Sequence, residues 1–360
     1  MMWTSIVCAF FLAALCTLQA DEKPLVVRGG LDGKEFSEIG RLYVDDDKLI
    51  HFRSDQRLYY FSHMYYIWDT LAKAGAVADG KIIYDKPIRI TGNYSKAAYV
   101  YNFLEEPAMR GSQVMWIDRI EKLDNLPESE KAFDGESLKG WKASPAWAVK
   151  DGVISCSAPL EKLISESSHT DFELSFEYRS TWGISASLLL RANEKGEGIG
   201  VSLDHIDEGI VGFPKSAAGA SRPFMLFETR EKRGVGKDIH YHIQYDGRSN
   251  YDDDMERDNL LARCTLGEFL REWDGGFWNI VKIRCAGSDP EITVWINGFP
   301  ISQFNAKTVT VIDRNPAQVG AIESYTVHPS GRVGFIIHST QPEGAEFRLR
   351  EIRIAQVVAD

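Results

Sequence analysis

Two histidines, His240 and His242, stand two positions apart in the run DIHYHIQYD. Residues two apart on a strand project from the same face, so both imidazoles could bind one divalent transition-metal ion. Asp204 and His205 could supply a third ligand, but the sequence does not fix the distance between the two segments. Because spacing alone gives neither ligand count nor geometry, the first expectation is a protein without a metal or other cofactor, and the histidine pair is the alternative.

A second group of metal-type ligands is the acidic run YDDDMERD, whose carboxylates lie between Asp252 and Asp258. Oxygen-rich loops suit Ca²⁺, but the spacing differs from that of an EF-hand and lacks its required glycine. We interpret the run as a solvated charge cluster.

Short strands must position all of these side chains. In FELSFEYRS, Phe172, Leu174 and Phe176 alternate with polar residues, which indicates a strand with one face in a core. Strand-like runs of the same kind continue to the end of the chain: ISASLLLRA, GIGVSLDHI, DIHYHIQYD, WNIVKIRCA, ITVWINGFP, GRVGFIIHS and FRLREIRIAQ. Their density predicts a two-sheet sandwich or jelly roll over residues 133–358, with the irregular stretch 209–268 along the rim of one face.

The preceding residues, 21–126, predict a separate small β-rich domain with one helix. In SHMYYIWDTLAKAGA, apolar residues recur at helical spacing, with Ser62 as N-cap and Gly75 near the end. Strand-like runs surround this helix, which favours a small β-barrel or an α+β module, with the oligonucleotide/oligosaccharide-binding barrel as one form. Residues 127–132 are the expected linker. The whole chain is therefore predicted to be mainly β.

The first twenty residues carry no charge and contain the apolar run IVCAFFLAALC. The run is too short for a stable membrane span and predicts a signal peptide cleaved before Asp21. We therefore expect a secreted or periplasmic protein, with a lipid anchor at Cys16 as the alternative. The rest of the chain has no apolar run of membrane length, so no integral membrane span is expected.

Composition limits the partners further. A formal charge of −11 and a pI near 5.3, without a basic cluster, argue against nucleic acid and anionic membranes. Three cysteines follow the predicted signal peptide: Cys156, Cys264 and Cys285. They allow one disulfide at most, and we expect buried, inert thiols.

Several segments of the sandwich region, in this order, carry a resemblance to a known family. They are FDGESLKGWK, DGVISC, DFELSFEYR, GISASLLLR, the pair Trp278-Asn279, ITVWINGFP, GRVGFIIHS and LREIRI. Together they resemble the 3-keto-disaccharide hydrolase domain family over residues 131–357. The resemblance implies a concanavalin A-like jelly roll, a carbohydrate partner and cleavage of 3-keto-glycosides.

The resemblance also implies site residues. Glu177, Arg191, Asp204 and His338 stand at positions that match the family signature. The chain departs from that signature on the strands carrying two of them. Gly200 and Ser202 replace a glutamate and a glutamine, and Ile336 replaces a common glutamine.

The implied reaction removes a proton from carbon 2 of the sugar, next to the ketone at carbon 3, and expels the group on carbon 1. His338 is the expected base, since histidine titrates near neutral pH. Arg191 would hold the enolate or a sugar hydroxyl with its forked donors, and Glu177 or Asp204 would orient or protonate. Trp182 and Trp295 are candidates for stacking on a sugar ring.

Each residue also has a structural interpretation. Glu177 and Arg191 could form a cross-strand ion pair, His338 could be a solvated histidine at a strand end, and both tryptophans could pack in the sandwich. A non-catalytic, lectin-like carbohydrate-binding module is therefore the alternative function, and Gly200, Ser202 and Ile336 favour it. A structural or interaction protein is the third reading, because sandwiches host all three classes.

Overall fold

The protein folds into a small β-barrel followed by a large β-sandwich. The computed structural model describes residues 26–27, 34–45, 48–61, 65–96, 99–100, 112–123, 131–181, 183–196, 198–204, 211–214, 228–233, 240–244, 260–264, 268–269, 272–274, 277–305, 328–340 and 344–357. The predicted signal peptide, Cys16, Trp182, His205 and the acidic run 252–258 lie outside these residues.

The N-terminal unit is a closed five-stranded barrel in the order β2-β3-β4-β9-β7, in which all pairs are antiparallel except β4 with β9. Its elements are β1 (Val26–Val27), β2 (Lys34–Val44), β3 (Ile50–Ser54), β4 (Leu58–Phe61), α1 (Tyr65–Lys73), β5 (Val77–Ala78), β6 (Lys81–Ile82), β7 (Ile88–Lys96), β8 (Tyr99–Val100) and β9 (Ser112–Lys122). The barrel, rather than an α+β module, is therefore the correct form of the predicted β-rich unit. Five strands closed into one barrel is the strand number of the oligonucleotide/oligosaccharide-binding architecture.

The predicted helix is confirmed as α1. Ile67 and Leu71, one turn apart, are fully buried against the barrel, as the helical spacing of apolar residues requires. Lys73 pairs with Asp69 one turn earlier. The helix ends before Gly75, whose φ of +63° is a backbone conformation that glycine adopts without steric cost.

The C-terminal unit is a sandwich of a six-stranded and an eight-stranded sheet, which confirms the predicted fold class. The six-stranded sheet has the order β10-β13-β24-β15-β16-β17 and the eight-stranded sheet the order β11-β12-β25-β14-β21-β22-β23-β20. The strands are β10 (Trp141–Ala143), β11 (Ala148–Lys150), β12 (Val153–Cys156), β13 (Lys162–His169), β14 (Phe172–Ser180), β15 (Ile184–Ala192), β16 (Ile199–Leu203), β17 (Val211–Pro214), β18 (Glu228–Arg233), β19 (His240–Gln244), β20 (Leu260–Arg263), β21 (Asn279–Ala286), β22 (Glu291–Ile296), β23 (Phe299–Asn305), β24 (Gly331–Thr340) and β25 (Phe347–Gln356). Strands β18 and β19 form a separate two-stranded ribbon.

The core lies between the two sheets. Phe172, Leu174 and Phe176 of β14 face it, as their alternation predicts, and Phe335 of β24 meets Phe176 edge to face at 5.2 Å between ring centroids. Each such side chain stabilises the fold by roughly 1.5–3 kcal/mol when removed from water. The residues that alternate with these core residues along the strands point outwards and form the two outer faces of the sandwich.

Two buried tryptophans and a strand pair mark the start of the sandwich. Trp141 and Trp147 are buried in its core, and the Trp141 indole donates to the Ala132 carbonyl at 2.8 Å. The opening strand pair β11–β12 then joins β25, the last strand of the chain, with Ile154 opposite Leu349.

A buried polar seam joins the barrel to the eight-stranded sheet. Arg57, next to β4, donates to Ser112 Oγ at 2.9 Å within the barrel. Its Nη2 donates to Glu272 Oε2 at 2.5 Å and to the Asn297 carbonyl at 2.6 Å in the sandwich. The buried guanidinium is therefore hydrogen-bonded to groups on both sides of the boundary between the two units.

A second part of the seam surrounds Glu177 on β14. Its carboxylate accepts from Arg350 Nε at 2.6 Å and from Arg53 Nη2 of the barrel at 3.1 Å. The Arg350 guanidinium also lies 4.1 Å from the Trp278 ring centroid, and the Arg53 guanidinium lies 4.4 Å from that of Tyr43. The barrel therefore covers part of the outer face of the eight-stranded sheet.

The three cysteines that follow the predicted signal peptide lie in the sandwich, and their burial is as expected. Cys156, Cys264 and Cys285 are all buried. In the residues that the structure describes, no helix has the length and apolar character needed to cross a membrane.

Candidate functional site

The outer face of the six-stranded sheet carries a compact group of polar side chains, which we call the serine face. Its members come from β15, from β16 and the residue after it, and from β24: Ser185, Ser187, Ser202, Asp204 and His338. They face away from the core because the residues between them, such as Ala186 and Leu203, belong to it. Two consecutive strands and a third that is distant in sequence thus bring hydroxyl, carboxylate and imidazole groups together.

His338 is held at this face by a hydrogen bond and by an irregularity of its strand. Its Nε2 lies 2.8 Å from Ser187 Oγ. In the pairing of β15 with β24, Ser185 is opposite Ser339 and Ala186 is opposite Ile337. His338 is therefore the extra residue of a β-bulge, a feature that often re-aims a side chain at a functional site.

Asp204 lies on the other side of β15. Its Oδ1 accepts from Ser185 Oγ at 2.8 Å and from the Ala186 amide at 2.9 Å, and its own amide donates to Ser202 Oγ at 3.3 Å. The carboxylate is buried, with 1% of the residue's surface exposed. Asp204 therefore binds the two residues of β15 that lie opposite the bulge.

The neighbouring strand is fixed from the core side. The hydroxyl of Tyr178 on β14 donates to the Leu203 carbonyl at 2.7 Å, across the space between the sheets. Burial raises the pKa of Tyr178 well above its ordinary value, although its hydrogen bond with Ser180 acts to lower the pKa. The phenol therefore stays protonated and holds the end of β16 in place.

The serine face changes from polar to apolar along the sheet. Ser187 has Ser202 and Ile336 as its two cross-strand neighbours. Ile336 in turn packs against an apolar cluster that includes Ile164 and Leu189. Ser202 and Ile336 are two of the positions at which the chain departs from the family signature. Short polar groups beside an apolar surface suit a ligand with both kinds of surface, such as a sugar ring.

Arg191 does not join this face, although strand alternation places it there. The pairing of β15 with β24 shifts between Leu189 and Ala192, and Arg191 has a φ of +49°, so the backbone turns its side chain away. The guanidinium instead donates to the Thr170 carbonyl and Asp171 Oδ1, at 2.8 and 2.9 Å. The predicted shared site therefore lacks its arginine.

Glu177 is also separate from His338. It lies on the outer face of the eight-stranded sheet, where it pairs with Arg350 and Arg53, and not with Arg191 as one interpretation proposed. Two packed sheets lie about 10 Å apart, so the opposite outer faces of a sandwich cannot contact one substrate atom. Of the four residues implied by the resemblance, the structure brings together only Asp204 and His338.

Of the remaining predicted site residues, Trp295 does not lie at the serine face, and Trp182 lies outside the described residues. Trp295 is half-buried on β22, where it pairs with Lys282 in the eight-stranded sheet. His240 and His242 lie on β19, but their side chains are outside the described part of the structure. Among the described residues, no group of three or more His, Cys, Asp or Glu side chains could hold a metal ion.

Sequence reasoning missed Ser185 and Ser187. The signal was present in ISASLLLRA, where two serines alternate with core residues on a strand that is otherwise apolar. A polar pair on the outer face of a buried strand indicates a covered, functional surface, because exposed positions there would more often be charged.

Comparison with known proteins adds a family match. Residues 128–355 match the family model of the 3-keto-alpha-glucoside-1,2-lyase-like domain, which confirms the resemblance drawn from the sequence. No curated protein matches the chain.

Similar solved structures include a candidate glycosyl hydrolase from Parabacteroides distasonis, which is 16% identical with a TM-score of 0.39 and covers 64% of this chain and 100% of its own. A carbohydrate binding module from Bacillus subtilis is 8% identical with a TM-score of 0.30 and covers 60% of this chain and 96% of its own. A legume lectin-like domain from Entamoeba histolytica is 8% identical with a TM-score of 0.32 and covers 65% of this chain and 100% of its own.

Proposed function

Since this chain belongs to the 3-keto-alpha-glucoside-1,2-lyase-like family over residues 128–355, we propose that it is an exported carbohydrate-active enzyme that cleaves 3-keto-glycosides. The serine face is the proposed substrate site. The observation that carries the proposal is the pairing of His338 Nε2 with Ser187 Oγ at 2.8 Å on a face that is polar at one end and apolar at the other.

The proposed reaction begins at carbon 2 of the sugar. The ketone at carbon 3 makes the carbon 2 proton acidic, and His338 removes it as general base. The electron pair left at carbon 2 forms a double bond to carbon 1 while the bond from carbon 1 to the leaving oxygen breaks, and that oxygen departs with a proton. Addition of water to the resulting enone completes a net hydrolysis.

The surroundings of His338 support this role in two ways. The hydrogen bond with Ser187 restricts the imidazole ring, which favours a fixed orientation towards a substrate atom. The Ser187 hydroxyl is a neutral hydrogen-bonding group beside the histidine, and the hydroxyls of Ser185 and Ser202 lie on the same face beside Asp204. Hydroxyl groups suit sugar oxygens because they both donate and accept.

A substrate deuterated at carbon 2 tests the proposal directly. We expect the protein to release the aglycone from a 3-keto-glucoside, with a primary kinetic isotope effect and loss of the label to water. His338→Ala should reduce the rate by about 10²–10⁴-fold, the usual contribution of a general base. His169→Ala is the matched control, since His169 is also partly buried on the six-stranded sheet but contacts Gln356 outside the serine face.

Two results would count against this mechanism. Release of the aglycone with the label retained at carbon 2 would replace the elimination with a direct hydrolysis. Equal losses in His338→Ala and His169→Ala would remove His338 from the chemistry.

A lectin-like carbohydrate-binding module is the second candidate. It is favoured by the positions of Glu177 and Arg191, both of which form structural ion pairs away from the serine face. Titration calorimetry with the same 3-keto-glucoside distinguishes the two, because a lectin-like module binds it and releases no aglycone. If the protein neither binds nor cleaves the sugar, the result favours the third hypothesis, a structural or interaction protein.

A further inference from the structure

The bulge at His338 is held from the opposite side of β15. Ser185 and Ala186 lie opposite Ser339 and Ile337, so this two-residue segment faces the extra residue His338. The same segment donates two hydrogen bonds to Asp204 Oδ1, from the Ser185 hydroxyl and the Ala186 amide. One carboxylate thus fixes the segment against which the bulge forms.

Asp204 can do this because the regular ladder ends just before it. The last pair of β15 with β16 is Ser187 with Ser202, and β16 ends at Leu203. Beyond that point the Asp204 carboxylate accepts the Ala186 amide, as a strand carbonyl would do in a longer ladder. A charged acceptor makes this bond stronger than an ordinary ladder bond.

Burial separates Asp204 from the solvent side of the serine face. Asp204 has 1% of its surface exposed, whereas His338 is half-buried. A substrate that reaches His338 from solvent therefore meets the imidazole before the carboxylate. This arrangement suits a residue that acts on the base through the backbone.

We propose that Asp204 is a positioning residue that sets the place of His338 through the Ser185–Ala186 segment and the bulge, while Ser187 fixes the orientation of the imidazole. The catalytic part of this proposal rests on the proposed function, in which His338 is the base. The positioning part concerns the folded protein alone. Of the two roles that the family resemblance leaves open for Asp204, orienting and protonating, the residue thereby has the orienting one.

The test compares two substitutions of the carboxylate. Asp204→Asn keeps an oxygen that accepts the same two bonds, whereas Asp204→Ala removes the acceptor. A misplacement of about 1 Å can reduce a rate by about 10²-fold, so we expect Asp204→Ala to lose about that factor in kcat with little change in KM. Asp204→Asn should lose less than about tenfold in kcat, because its amide oxygen still accepts both hydrogen bonds, although a neutral acceptor binds them more weakly than a carboxylate does.

Nuclear magnetic resonance of the histidine rings gives a measurement that does not depend on activity. The chain has eight histidines, and the spectrum of His338→Ala assigns the relevant ring. We expect the ring nitrogen shifts and titration midpoint of His338 to change in Asp204→Ala and in Ser187→Ala, and to stay near the wild-type values in Asp204→Asn. Ser302→Ala is the control, since Ser302 is an equally buried serine in the eight-stranded sheet.

The possible outcomes separate the roles. If Asp204→Asn loses as much activity as Asp204→Ala while its His338 resonances are those of the wild type, the carboxylate acts on the substrate and the proposal is wrong. If Asp204→Ala leaves the His338 resonances unchanged, Asp204 does not position the histidine.

Should Asp204→Ala fail to fold, Ser185→Ala is the second test, because it removes one of the two donors to the carboxylate. It is expected to shift the His338 resonances in the same direction, and unchanged resonances in Ser185→Ala would overturn the proposal. A wild type without lyase activity would end the proposed function but not these spectroscopic comparisons.

Discussion

The buried arginine of the seam between barrel and sandwich gives the sharpest prediction for stability. Arg57→Met keeps most of the side-chain volume but removes the guanidinium that pairs with Glu272 Oε2 at 2.5 Å and bonds Ser112 Oγ and the Asn297 carbonyl. Glu272 has 4% of its surface exposed, so the substitution leaves its carboxylate buried without this partner.

The magnitude follows from the contacts. Breaking a buried ion pair by removing one partner costs about 3–5 kcal/mol. Lys34 also approaches Glu272 Oε1 at 3.5 Å but is 61% exposed, and an exposed pair of this kind offsets at most about 1 kcal/mol. We therefore expect Arg57→Met to lower the free energy of unfolding by about 2–4 kcal/mol, the buried-pair value less this offset.

Urea denaturation followed by tryptophan fluorescence measures this change. Trp278 lies in the seam beside Leu58 and Tyr60, so its signal reports on the separation of the two units. Arg89→Met is the matched control, because Arg89 pairs with Glu121 at 3.0 Å on the barrel surface, with the two side chains 38% and 31% exposed. The control should change stability by less than about 1 kcal/mol.

The double variant Arg57→Met with Glu272→Leu tests the cause. Removal of both charges should recover most of the loss, because no uncompensated charge remains. The reasoning is refuted if Arg57→Met and Arg89→Met destabilise equally, or if the double variant is no more stable than Arg57→Met alone.

Two further predictions follow from shifted pKa values. Burial raises the pKa of the Cys285 thiol to about 12, despite the opposing effect of Arg191, so Cys285 should resist iodoacetamide at pH 8 in the native protein and react fully in denaturant; rapid native labelling would contradict this. Burial acts to raise the pKa of Glu351, but Arg53, Lys131 and Arg353 outweigh it and lower the pKa below the ordinary value of 4.5. A carboxyl with a lowered folded-state pKa contributes stability above its unfolded pKa and loses it as the pH falls through the folded value. Wild type should therefore lose more stability than Glu351→Gln below about pH 4.5, as urea midpoints at several pH values will show, and parallel pH profiles would contradict this.

The sequence predicted the sandwich because its signal is local. Alternation along β14 places Phe172 and Phe176 in the core without any knowledge of their partners. The same alternation correctly put Glu177 on an outer face, but nothing in β14 indicates that Arg53, 124 residues earlier in the chain, covers it. Whether an outer-face carboxylate is a ligand or part of a domain seam depends on the docking of two units.

The site was less predictable because it depends on register. The bulge at His338 arises from the pairing of Ser185 with Ser339 and of Ala186 with Ile337, about 150 positions apart. Arg191 follows the rule of alternation in the sequence and breaks it in the structure through its positive φ. A one-residue irregularity changes the face of a side chain, and local patterns do not reveal it.

The order of strands in the eight-stranded sheet has a consequence for how the chain assembles in time. The last strand, β25, lies in the middle of this sheet, between β12 and β14. At a synthesis rate of about 5–20 residues per second, the roughly 200 residues from β12 to β25 take about 10–40 s to appear. Until then β12 and β14 present unpaired edges, which are prone to wrong pairing. Truncation before Phe347 would separate the pair β11–β12 from the rest of this sheet, so the eight-stranded sheet is completed only by the C-terminal ten-residue strand.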